Sequence, residues 1–219
     1  DVEAVIELNS NLGLLQLDRG YTDEARHYLE EALKQSQEIG HSFYIALANH
    51  HLSLLFNATE DWQSALAYSL RGEDLFKNLG EKANLVDVYF NQGCIYLGMH
   101  NLEEAAVCGE QALDLLTTLT PNAQTEDKGH ALRLLGDLAL AEKKLETAKK
   151  LYREAEQVFD AVGNPLERGR LLVSLARLAA AESNKALAKS RLTLAQKLFE
   201  QLGARLDLRK LKDLKKELR

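Results

Sequence analysis

Proline is nearly missing from this sequence. Two prolines and thirteen glycines among 219 residues leave long stretches free of helix breakers. The strong helix formers Ala, Leu, Glu, Lys, Gln and Arg fill those stretches. Val and Ile are scarce, so a sheet would have little to be built from. No run of eighteen apolar residues occurs, and the start lacks the charged-then-apolar layout of a signal peptide. Two cysteines, Cys94 and Cys108, are too few for a disulfide framework in a chain of this size. A reducing, cytoplasmic compartment is the expectation. The sequence opens at Asp1 without a methionine and stops inside a helical pattern at Arg219, as a piece of a longer signalling or regulatory protein would.

The formal charge of −6 is unevenly spread. Residues 1–119 carry 19 acids and 6 bases, a net of −13, whereas residues 120–219 carry 14 acids and 21 bases, a net of +7. Overall acidity argues against nucleic acid as a partner. The asymmetry suits either a head-to-tail contact, a two-signed binding surface or merely solvated helix faces.

What the sequence does contain is a repeat. The pairs Leu12-Gly13, Leu52-Ser53, Gln92-Gly93, Leu135-Gly136 and Leu175-Ala176 each end in a small residue, at spacings of 40, 40, 43 and 40. Twelve residues after each comes an alanine: Ala25, Ala65, Ala105, Ala148 and Ala188. Seven further on stand Ala32, Gly72, Ala112, Ala155 and Ala195. Helices approach to about 8–10 Å only where contact residues are small, so each unit reads as helix A, a tight turn and helix B. The first A helix is expected over roughly residues 2–18 and the first B helix over 22–38, with Thr22 as its cap ahead of Asp23 and Glu24. Gly40, Gly80, Gly163 and Gly203 mark left-handed C-terminal caps. Pro121 lies in a loop lengthened by three residues, and Pro165 suits the first turn of a helix.

Internal repetition of this kind fixes architecture before anything else. The Leu-Gly pairs, the alanine columns and the aromatics Tyr28, Tyr68, Tyr96 and Tyr152 resemble the tetratricopeptide repeat family along nearly the whole chain. The period exceeds the roughly 34 residues commonest there. It is similar to the longer repeats of kinesin light chains, Leu-Gly-Asn polarity proteins and bacterial signalling regulators. The fifth unit departs most, with Ala176 and Ala179 where the family prefers glycine and an aromatic. The resemblance implies an all-α, right-handed superhelical solenoid of five hairpins, at about 1–40, 41–80, 81–122, 123–163 and 164–203 within residues 1–205. Residues 206–219, with leucines at 208, 211, 214 and 218, form an amphipathic capping or connecting helix.

Catalysis is not expected. Gly93 and Gly98 lie inside a helix rather than a phosphate loop, and the adjacent His50 and His51 point about 100° apart. They lack the spacing of four that a two-histidine metal site on one helix needs. Cys94 and Cys108 form no C-x-x-C pair. No metal ligands, catalytic residues or cofactors are assigned.

The resemblance implies instead that A helices line a peptide-binding groove, presenting Asn11, His50, His51, Asn57, Phe90, Asn91 and Cys94, then Arg133, Arg170 and Arg177. Asn11, His51 and Asn91 occupy one register in three successive A helices, a ladder able to hydrogen-bond a peptide backbone or to tie neighbouring helices together. The three arginines suit an acidic or phosphorylated stretch, although Asp137, one turn from Arg133, could neutralise it. The expected function is therefore a protein- or peptide-binding scaffold without a membrane segment. Self-association and a signal-peptide or small-molecule sensor are the alternatives.

Overall fold

The computed structural model describes residues 2–121 and 123–218, and among them eleven α-helices and no strand. The chain divides into two compact units, Asp1–Leu115 and Leu116–Arg219.

Unit 1 opens with α1 (Val2–Asp18) and α2 (Thr22–Glu38), followed by α3 (Ser42–Ala58) and α4 (Trp62–Leu79), then α5 (Lys82–Gly98) and α6 (Leu102–Leu119), whose last residues pass into unit 2. α1 packs on α2 and α3 on α4 as antiparallel hairpins, while α1, α3 and α5 lie side by side. The small residues sit where the hairpins cross. A Cβ added to Gly13 would meet Leu29 Cδ2 at 2.5 Å and the Ala25 carbonyl oxygen at 3.4 Å. One hairpin on, Ser53 Oγ donates a 2.8 Å hydrogen bond to the Ala65 carbonyl. Both contacts join the first small column to the second across the A–B crossing. Cys108 Sγ donates to Gln92 Oε1 at 3.7 Å, joining α6 to α5.

Unit 2 holds α7 (Glu126–Ala141) with α8 (Leu145–Val162), α9 (Pro165–Ala181) with α10 (Lys185–Leu202), and the terminal α11 (Arg205–Glu217). Ala148, Tyr152, Ala155 and Phe159 of α8 pack with Leu132, Leu171 and Leu175 in one core. Leu211 and Leu214 of α11 are buried with Leu192, Ala195 and Phe199 of α10, so its apolar stripe lies on the last hairpin. Burying two leucines there contributes about 1.5–3 kcal/mol each. Pro165 stands at the first turn of α9, and the Asn164 side chain before it accepts from the Leu166 and Glu167 N–H groups at 3.0 and 3.2 Å.

The caps differ from expectation at one point. Thr22 is the first helical residue of α2, and the capping position falls on Tyr21, which supplies no side-chain hydrogen bond. The glycines that close each hairpin do turn left-handed, with φ of +67° at Gly40, +75° at Gly80, +77° at Gly163 and +65° at Gly203. So does Gly20 between α1 and α2, at +78°. The equivalent turns between the later A and B helices take the same conformation with Glu60, His100, Lys143 and Ser183, at φ of +60° to +64°. A side chain there costs about 1–2 kcal/mol that glycine avoids. Changing any of these four to glycine should raise the unfolding free energy by about 0.5–1 kcal/mol in urea titrations. Unchanged or lowered stability in all four would contradict the left-handed assignment.

Candidate functional site

A face of unit 1 is built by three parallel-running stretches of sequence on α1, α3 and α5. Positions three, four and seven apart share one side of a helix. Glu7, Asn11 and Leu14 fall on one side of α1; Leu47, Leu54 and Asn57 on one side of α3; Asp87, Phe90, Cys94 and Leu97 on one side of α5. Glu7, Asn11 and Asp87 are exposed, and the remaining seven are half-buried. The accessible part of the face is thus a run of Leu14, Leu47, Leu54, Phe90 and Leu97, edged by two carboxylates and two side-chain amides. Its chemistry is apolar with a negative rim.

The expected ladder is not open along this face. Asn11 is exposed, but Asn91 is only 1% exposed and is hydrogen-bonded at both ends of its amide. Asn57 Nδ2 donates to Asn91 Oδ1 at 2.6 Å, and Asn91 Nδ2 donates to Ser53 Oγ at 2.7 Å. Asn91 therefore fastens α5 to α3, and through Ser53 to the Ala65 carbonyl of α4. His50 and His51 are likewise withdrawn from the surface, at 7% and 8% exposure. The physical reason is position: α3 has α1 on one flank, α5 on the other and α4 behind it, so nine of its residues are buried against four in α1. Neither Nδ1 atom has a hydrogen-bond partner. Burial holds the His50 imidazole down at about 4; burial, with His50 beside it, holds His51 at about 3. Both are neutral at pH 7.

The two cysteines have different surroundings. Cys94 is half-buried on the face, and Cys108 is buried. Burial pushes the Cys108 thiol up to about 11, with Glu73 and Glu104 adding to the shift. It is a protonated, weakly nucleophilic thiol at neutral pH.

In unit 2 the expected arginine cluster is largely occupied from within, Arg133 and Arg170 each being paired with carboxylates of the chain itself. Glu167, 3% exposed, sits between them. Arg170 Nη1 donates to Glu167 Oε1 at 2.6 Å, and Arg133 Nη2 to Glu167 Oε2 at 3.4 Å. His130 Nε2 lies 3.3 Å from Glu167 Oε2. Arg170 also forms a two-pronged contact with Asp207 of α11, at 2.9 and 3.2 Å. Asp137 stands 3.8 Å from Arg133 and accepts a 2.7 Å hydrogen bond from Tyr152. Burial alone would push the Glu167 carboxyl up, but the His130 hydrogen bond and the Arg133 and Arg170 charges together outweigh it, so it ends well below the usual carboxylate range. The network joins α7, α9 and α11. Arg177 remains exposed on α9. The i, i+3 spacing of Glu167 and Arg170 was the sequence signal for this pair; nothing local signals Asp207, which lies 37 residues from Arg170.

Among the described residues no cluster of three metal-ligating side chains occurs, and no helix is long and apolar enough to cross a membrane.

The family model described as tetratricopeptide repeat matches residues 6–38 and 86–115. These stretches cover most of α1 with α2 and most of α5 with α6. The fold is similar to BtubC (BKLC) from P. vanneervenii, at 17% identity over 92% of this chain and 82% of that one, with a TM-score of 0.68. It is similar to a Rap protein complexed with competence and sporulation factor, at 12% identity over 94% of this chain and 57% of that one, with a TM-score of 0.79. The apo form of RapI matches at 14% identity over 90% and 70%, with a TM-score of 0.66. At these identities the likeness is one of fold. No curated protein matches the chain.

Proposed function

We propose that this chain, which carries tetratricopeptide repeats, holds a segment of another protein on the α1–α3–α5 face of unit 1, as a non-catalytic scaffold in a reducing, cytoplasmic setting. Repeats of this type generally mediate protein–protein interaction. The observation that carries the reading is the row of half-buried apolar side chains, Leu14, Leu47, Leu54, Phe90 and Leu97, edged by Glu7 and Asp87. Such a face recognises apolar anchors that enter between the A helices, and it favours basic over acidic residues beside them. An acidic stretch would find Arg177 in unit 2, because Arg133 and Arg170 already neutralise Glu167 and Asp207. Of the expected ladder, Asn11 is the exposed member, whereas His51 and Asn91 are buried. The likeness to a Rap protein complexed with competence and sporulation factor supports ligand holding on this fold.

A random-peptide display screen on the 219-residue chain tests the proposal. Selected peptides should combine apolar anchors with basic residues, and Phe90→Ala and Leu54→Ala should each weaken them about tenfold or more, as truncating a central anchor does. Arg177→Glu should leave them unchanged. Acidic consensus peptides that lose affinity with Arg177→Glu, but not with Phe90→Ala or Leu54→Ala, would overturn the assignment.

A further inference from the structure

Two surfaces lie outside the face described above. The first is the outward stripe of α1, where Val5, Leu8 and Leu15 are 44%, 56% and 45% exposed. Their spacing of three and seven puts them on one side of the helix, turned away from the buried Ile6, Gly13 and Leu17. Asp18 follows one edge of that stripe, Glu7 lies beyond it on the face described above, and Arg19, four residues after Leu15, stands in line with it. Single exposed hydrophobic residues are ordinary, but an aligned row of large ones marks an interaction surface. The second is a groove of about 610 Å³ beside α10 and α11, with Leu192 and Leu218 in it and Lys185, Lys189 and Lys215 around it. Glu217 also lines it, and Lys215 Nζ donates to Gln196 Oε1.

We propose that α1 of one copy docks in the α10–α11 groove of a second copy, giving a head-to-tail contact. The occupant is chosen by complementarity. One surface is an apolar helical stripe on a unit of net negative charge, and the other is an apolar groove with three lysines and one glutamate around it. The same complementarity holds for whole units: residues 1–115 carry 19 acids and 6 bases, and residues 116–219 carry 14 acids and 21 bases. Opposite fields of this kind steer encounter and set the direction of docking. A contact between two different patches leaves one of each free at either end, so it propagates or closes a ring instead of stopping at a symmetric dimer.

The test is sedimentation analysis of the 219-residue chain, beside a Leu8→Glu variant and a Lys185→Glu/Lys189→Glu variant. Circular dichroism confirms that each keeps its helix content; all three positions are exposed, so folding is not at stake. At low salt the parent mass should rise with concentration beyond twice the 24.5 kDa monomer, and it should fall at about 1 M salt, where screening shortens to roughly 3 Å. Each variant alone should stay monomeric. Mixed together they should form a one-to-one pair and nothing larger, because one retains the groove and the other the stripe. A parent that is monomeric throughout overturns the proposal. So does association that survives either variant, since the contact then lies elsewhere. Variants that fail to pair when mixed point to a symmetric contact, and they overturn it too.

Discussion

Replacing Glu167 with leucine is expected to lower the stability of unit 2 by about 3–5 kcal/mol, the usual cost of removing one partner from a buried ionic network. The carboxylate is almost fully buried and is shared by Arg170, Arg133 and His130. Its loss strands Arg133 and Arg170 with part of their charge uncompensated, although Asp137 and Asp207 remain near them. Glu167→Gln keeps the shape and some of the hydrogen bonds but removes the charge, so a smaller loss of about 1.5–3 kcal/mol is expected. Pairing Glu167→Leu with Arg133→Leu should recover a large part of the loss, because two neighbours in one network do not add. Denaturant titration followed by far-ultraviolet circular dichroism measures all three. A Glu167→Leu loss below about 1 kcal/mol would mean that the network is solvated rather than buried.

Acid is expected to destabilise unit 1 before it reaches the Glu167 carboxylate. His50 and His51 have folded-state values of about 4 and about 3, below the 6.5 of the free imidazole. Between pH 6.5 and about 4 the unfolded chain therefore binds protons that the folded chain refuses. Stability is fully present above pH 6.5 and falls as pH drops through that window, by up to about 1.4 kcal/mol per pH unit for each histidine. Glu167 also loses its contribution as pH falls, but its unfolded value is 4.5, so its effect begins lower. The two can be separated by titrating with urea at pH 7, 6 and 5. His51→Leu should roughly halve the slope over that range, and adding His50→Leu should flatten most of what remains. A parent chain whose stability is level from pH 7 to 5 would show that both imidazoles protonate freely in the folded state.

These histidines and arginines also show where reading residues in order stops working. The helices were legible because their causes are local. Small residues recur at fixed offsets, breakers are rare, and glycines stand at Gly40, Gly80, Gly163 and Gly203 where the chain turns left-handed. The A–B crossings at Gly13 and Ser53 were equally legible, since only a small side chain lets the neighbouring helix approach. The left-handed conformation of Glu60, His100, Lys143 and Ser183 was not, because no glycine marks it there. The residues assigned to the groove were drawn from helix periodicity, and their availability could not be read off that placement. His51 and Asn91 share a register with Asn11, but they are buried while Asn11 is exposed.

The amino-acid order was enough to establish an all-helical repeat chain, the bounds of its first two helices, and the uneven charge of its two halves. Those properties depend on neighbours three, four or seven positions away, or on simple sums. Which polar side chains face solvent depends on contacts between residues 34 to 38 apart. Asn57 reaches Asn91, Asn91 reaches Ser53, Arg133 reaches Glu167 and Arg170 reaches Asp207 across such gaps. A helix side that looks open by its own periodicity is closed once the next helix lies beside it and brings an amide or carboxylate to meet it. Desolvation then rewards pairing inside the protein, because a buried polar group without a partner costs more than a hydrogen bond returns. Packing thus moved Asn91, Arg133 and Arg170 from the expected ligand surface into the framework, and it left the apolar row from Leu14 to Leu97 as the accessible face.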